Sequence, residues 1–321
     1  MQPDLVRVRL ARPRLIRRSL PHTPRRWLTL LLAVIVAGSA LGLAGVSTNA
    51  FGLGTLYQRA LSKVERILAG PPPDRATLPT VTVTPKPATP SPSPSQKPPV
   101  PSGQPTPKPT ARPTPIPRVG IDVDIVAKHG PEFAHELRDD WCAPAGVTTA
   151  LAILGLGAPT DAREREIASR VHEWDSYVDS HNGEWGPAAI ALALKAYGAD
   201  GYAIVAYESR ADALRGAAKA ILDTNSPAIL MAWRGAHTWV MTGFRADADP
   251  RQFDDARVIG AYIDDPWYPW VSSIWGPSDP PGTFQNNAEM IRNFLAWKRP
   301  EGHYPDRDGK FIVVIPTIPR G

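Results

Sequence analysis

Cysteine is almost missing from this chain: Cys142 is the only one in 321 residues. A single thiol excludes an internal disulfide framework. Other absences narrow the reading further. No glycine-rich phosphate loop is present, and no internal repeat is evident. His129, His135, His172, His181 and His303 have no metal-ligand spacing, so neither metal nor cofactor is expected. Asp247, Asp249, Asp254 and Asp255 lie close together but lack the spacing and glycine of a calcium loop, and read as a solvated face. Acidic residues are scarce in the first third. From Val119 onward about 28 acidic residues outnumber about 19 basic ones, so the net charge of +5 comes from a basic front. An acidic globular part repels a phosphate backbone, and no nucleic-acid partner is expected.

What is present falls into five segments. Residues 1–26 are a basic tail with Arg7, Arg9, Arg12, Arg14, Arg17, Arg18, Arg25 and Arg26. The uncharged apolar run 27–48 is long enough to cross a bilayer core as a helix, with the arginines held on the cytoplasmic side. This predicts a signal anchor with the rear of the chain outside the cell; a cleaved signal peptide is the alternative. Residues 49–70 carry Leu61, Val64, Ile67 and Leu68 at helical spacing, a juxtamembrane helix lying on the membrane. Residues 71–118 are rich in Pro, Ser and Thr and poor in large apolar side chains, which predicts a disordered stalk reaching on the order of 100 Å.

Residues 119–321 have the patterning of a folded domain. Helices are expected from Cys142 to Leu154, Asp161 to Val171, Gly186 to Gly198, Ser209 to Leu222 and Asn287 to Trp297. Strands are expected from Tyr202 to Tyr207, Ala228 to Trp233, Thr238 to Phe244, Val258 to Ile263 and Phe311 to Ile315, with a long loop over 266–287. Helices first and strands afterwards predict an α+β class, with N-terminal helices packed on an antiparallel sheet.

The chemistry centres on the thiol. Cys142 falls where a helix starts, and the positive end of the helix dipole favours a thiolate. His237, at the entrance of an apolar strand, is a candidate base. Asp264 and Asp265 end the following strand and either can orient the imidazole. Trp233, Trp239, Trp267, Trp270 and Trp275 lie near these residues in sequence, as core or as the lining of a peptide or glycan cleft.

Three stretches resemble the signatures of papain-like cysteine peptidases: Trp141-Cys142-Ala143-Pro144-Ala145-Gly146, Gly235-Ala236-His237-Thr238-Trp239-Val240, and Ile263-Asp264-Asp265-Pro266-Trp267. The nearest likeness is to family 39 of the cysteine peptidases, the bacteriocin leader-peptidase family. The resemblance implies a papain-like fold, with Cys142 as nucleophile, His237 as base and Asp265 as its orienting partner. It also implies an oxyanion-binding side chain six residues before the cysteine, where the family has Gln and this chain has Glu136. Ala143 stands where the family has Gly. The function implied is thiol-dependent hydrolysis of peptide or cell-wall peptide substrates. The alternatives are a catalytically inactive surface binding module and a cell-wall amidase or endopeptidase.

Overall fold

The computed structural model describes residues 25–48, 50, 53–84, 116–180, 185–298 and 302–320. The basic tail before Arg25, His181 and most of the expected stalk, 85–115, lie outside the described residues. The chain divides into two compact units, residues 1–57 and 58–321.

In the first unit the apolar run forms helix α1 (Arg25–Ser47). The side chains of its first residues lie outside those described, which begin at Leu32. Among the described residues no helix is long and apolar enough to cross a membrane. Helix α2 (Leu53–Ala69) runs on into the second unit. There it does more than present an apolar face: Arg59 pairs with Asp139, and Arg138 donates to Ser62 and, at 3.0 Å, to Glu65. Val64, Ile67 and Leu68 remain exposed.

The second unit is α+β, built on an eight-stranded, mostly antiparallel sheet. Its strands are β1 (Thr80–Val83), β2 (Ile121–Asp124), β3 (Tyr202–Tyr207), β4 (Ala228–Met231), β5 (His237–Ala246), β6 (Val258–Asp264), β9 (Thr283–Asn286) and β10 (Phe311–Pro316). The order across the sheet is β1-β3-β10-β4-β5-β6-β9, and β2 pairs with β5. Among the described residues, only β1 on β3 is parallel. Strands β7 (Val271–Ser272) and β8 (Gly276–Pro277) form a separate small hairpin.

Helices cover both faces of the sheet, not one. Alternation in β3 sends Ile204 and Ala206 to one core and Val205 and Tyr207 to the other, as a strand's two-residue period requires. The first core receives α3 (Cys142–Ile153), α4 (Asp161–Ser169) and α5 (Pro187–Ala196). The second receives α6 (Arg210–Thr224) and α8 (Asn287–Asn293). Between β4 and β5 lies a single turn, α7 (Ala232–Gly235). The N-cap of α4 is Thr160, whose oxygen accepts from Arg163 N–H, and not Asp161. The last expected helix stops at Asn293, four residues before Trp297.

The stalk is corrected at its start. Residues 71–84 lie along the domain: Arg75 pairs with Asp175 at 2.9 Å, and β1 extends the sheet edge. The loop expected over 266–287 contains β7, β8 and the whole of β9.

Candidate active site

Cys142 is the first residue of α3, with Trp141 as N-cap. The helix crosses closely over β5 at Gly146, where a Cβ would stand 2.7 Å from the Thr238 methyl. This approach places the start of α3 beside His237, the first residue of β5. Ala143, in place of the family's glycine, turns its methyl into the first core and is 3 % exposed.

The strands align the histidine with its carboxylate. Antiparallel pairing sets Val240 of β5 opposite Asp264 of β6, so the residue after β6 reaches His237. Asp265 Oδ1 lies 2.7 Å from His237 Nε2. That leaves Nδ1 to face the thiol. The Asp265 carboxylate also accepts from Trp267 N–H at 2.9 Å, which fixes its own rotamer. Asp264 goes elsewhere. Its Oδ1 is 2.8 Å from Nδ1 of His129, whose Nε2 is 3.0 Å from Asp124. Burial opposes a charge on His129, but hydrogen bonds to Asp124 and Asp264 outweigh it and push its pKa up to about 10. The two adjacent aspartates thus serve two different histidines.

Glu136 completes the group. The segment before α3 is held by Ala134 N–H on Thr149 Oγ1, Glu136 N–H on Pro266 C=O, and Leu137 N–H on Glu164 Oε1. These bonds fix the carboxyl of Glu136 beside Cys142 and His237, with one ligand-capable atom from each of the three residues within 4.8 Å of the others. Glu136 is fully buried, and neither side-chain oxygen has a hydrogen-bond partner among the described residues. Neighbouring His135 is exposed and packs edge-on against Trp270.

The electrostatics follow from this packing. Burial pushes the Cys142 thiol up, but hydrogen bonding and charge from His237, with hydrogen bonds from Thr238, outweigh it and leave its pKa lowered. Burial pushes His237 down, and Asp265 and the thiol together hold it well above an ordinary imidazole. Glu136 is raised well above a normal carboxyl by burial first and by the neighbouring Cys142 second. The arrangement favours a thiolate–imidazolium pair beside a protonated carboxyl.

Indoles enclose the imidazole. Trp233 stacks on His237 with ring centroids 3.9 Å apart, and Trp275 stacks on Trp233 at 5.7 Å. Trp267 meets His237 edge-on. Trp233 and Arg234 both have positive φ, an uncommon conformation for bulky residues immediately before a candidate base. Trp239 instead lies in the second core, and Trp270 packs on Trp267.

All four site residues named from sequence are therefore brought together. Glu136, Cys142 and His237 also bring potential ligand atoms together, a grouping that sequence spacing did not reveal. Sequence reasoning also missed Thr238, His129 and the Trp233 stack; only the tryptophan-rich composition pointed toward the last. No protein-family model matches the chain, and no curated protein or solved structure matches it.

Proposed function

We propose that the second unit is a papain-like cysteine hydrolase, most simply a peptidase of the family-39 type, exported and held at a membrane by the apolar N-terminal run. The observation that carries the reading is Asp265 at 2.7 Å from His237 Nε2, with Cys142 Sγ within 4.8 Å of the same ring. A nucleophile, a base and a group that orients the base are the minimum for acyl transfer.

In this mechanism the Cys142 proton resides on His237. The thiolate attacks the carbonyl carbon of the substrate and the C=O electrons move onto oxygen. As the tetrahedral species collapses, the C–N bond breaks and His237 gives its proton to the departing amine. Water then attacks the thioester, His237 takes its proton, and the carboxylic acid leaves with the thiol restored. Asp265 holds the imidazole without accepting the proton. The oxyanion meets the backbone N–H of Cys142 at the start of α3. A protonated Glu136 adds an O–H donor where the family has an amide. The indole-lined surround of His237 suits peptide or cell-wall peptide substrates, and a cell-wall amidase shares this chemistry.

A second reading, a binding module without turnover, is favoured by Glu136, since an ionised carboxylate would repel the oxyanion. The test is iodoacetamide labelling of the full chain in chelating buffer from pH 5 to 9, beside His237→Ala. The hydrolase reading expects fast labelling near pH 6 that drops at least about tenfold in the variant, as loss of thiolate fraction requires. Labelling that rises only near an ordinary thiol pKa, indifferent to the substitution, favours the binding module.

A further inference from the structure

We propose that Glu136, Cys142 and His237 form a zinc site in which Asp265 is the outer-shell partner of the histidine. The first observation is geometric: a thiol sulfur, an imidazole nitrogen and a carboxyl oxygen lie within 4.8 Å of one another. Around a tetrahedral Zn²⁺ at about 2.3 Å from sulfur and about 2.0 Å from nitrogen or oxygen, ligand atoms stand roughly 3.2–3.6 Å apart. A bound ion would therefore draw these atoms together from the separations seen without it. The second observation is independent of the cysteine. Glu136 is fully buried, and both its oxygens are without a hydrogen-bond partner among the described residues. Unpaired buried polar atoms are costly, and a bound cation satisfies them.

Further features fit zinc. His237 already gives Nε2 to Asp265 at 2.7 Å, which fixes the ring and leaves Nδ1 for the metal, the usual carboxylate–histidine–metal relay. Thiolate and carboxylate together carry two negative charges, so a divalent ion makes the buried group neutral. The mixed S/N/O set suits zinc and disfavours magnesium or calcium, which want oxygen ligands alone. The site does not depend on the hydrolase reading, because an inactive module with these residues binds the ion equally well. In a hydrolase the same ion occupies nucleophile and base together, so zinc is a reversible inhibitor and a chelator restores activity.

The experiment is titration of the full chain, stripped by chelator and dialysed, with Zn²⁺ against a chromophoric competitor, and separately with Co²⁺. The expected result is one Zn²⁺ per chain, lost in Cys142→Ser and weakened by at least about tenfold in Glu136→Gln, with Asp265→Asn weakened on the order of 10–100-fold. Co²⁺ on the unaltered chain should give a near-ultraviolet thiolate charge-transfer band with the strong visible absorption of four-coordination. The cobalt spectrum needs no variant to fold. Absence of that band, or zinc binding that survives Cys142→Ser or Glu136→Gln unchanged, overturns the site. Labelling of Cys142 reports on the hydrolase reading without zinc, so the two fail separately.

Discussion

Glu164 shows how one residue's surroundings set a pH response outside the candidate active site. Its Oε1 accepts Leu137 N–H at 2.8 Å, yet burial raises its carboxyl pKa to about 7. An unfolded glutamate titrates near 4.5. Between these values the folded state keeps a proton that the unfolded state has lost. Stability from Glu164 is therefore full below about pH 4.5 and is lost as pH rises through about 7, by about 3 kcal/mol. Glu164→Gln keeps the acceptor and cannot ionise. Urea unfolding at pH 4.5, 6 and 8 should show a smaller fall with pH in the variant than in the parent; identical slopes would contradict the assignment. At this scale the sequence was readable where chemistry is written locally. Cys142 at a helix start, His237 at a strand start and Asp-Pro after a strand are all short-range patterns. Residue patterning left Asp264 and Asp265 open and only the family resemblance singled out Asp265; in the sheet the two adjacent carboxylates diverge to His129 and His237. The burial of Glu136 needed bonds from Thr149, Glu164 and Pro266, all distant in sequence.

At the scale of elements, close approach and buried charge position the site. Gly146 lets α3 approach β5; alanine there would gain about 1 kcal/mol of helix propensity but meet the Thr238 methyl, an overpacking cost of about 1–3 kcal/mol. Asp179 caps α5 by accepting from Ala188 and Ala189 N–H. Arg307, itself buried, binds Asp179 Oδ1 and its C=O, both at 2.8 Å, and reaches Thr80 of β1 at 3.0 Å. Arg307→Ala leaves a buried carboxylate without its cation, and should cost about 3–5 kcal/mol in thermal or urea unfolding. Amide exchange in β1 should quicken at the same time. A loss under about 1 kcal/mol would mean that Asp179 is satisfied by the helix alone. Helices α3, α5 and α6 and strands β3 to β6 were legible because caps, glycines and β-branched runs lie within each segment. Strand β1 was not. Its Thr-Val-Thr-Val sits among prolines, and its partner β3 is more than a hundred residues away. Only the long-range pairing reveals it.

At the scale of the whole molecule, the proline-rich segment changes meaning. Residue 84 follows β1 and residue 121 begins β2, and both strands belong to one sheet. Along the sheet β1 and β5, which pairs with β2, are four strand steps of about 4.8 Å apart, roughly 20 Å. Both ends of the segment are therefore anchored in one sheet, and the expected stalk of about 100 Å does not separate 119–321 from residues 58–84. A specific protease site inserted within 85–115 and cut should leave two fragments that co-elute in gel filtration under native conditions and part only in denaturant. Fragments that separate at once would mean that β1, Arg75 and α2 contribute little. A chain begun at Val119 lacks those elements. Residues 85–115 close a ring, and their number sets a ring size in place of a distance. Each doubling of that ring adds only about 0.6 kcal/mol of closure entropy. Insertions there can lengthen the chain greatly while the span between its two anchor points stays where the sheet puts it.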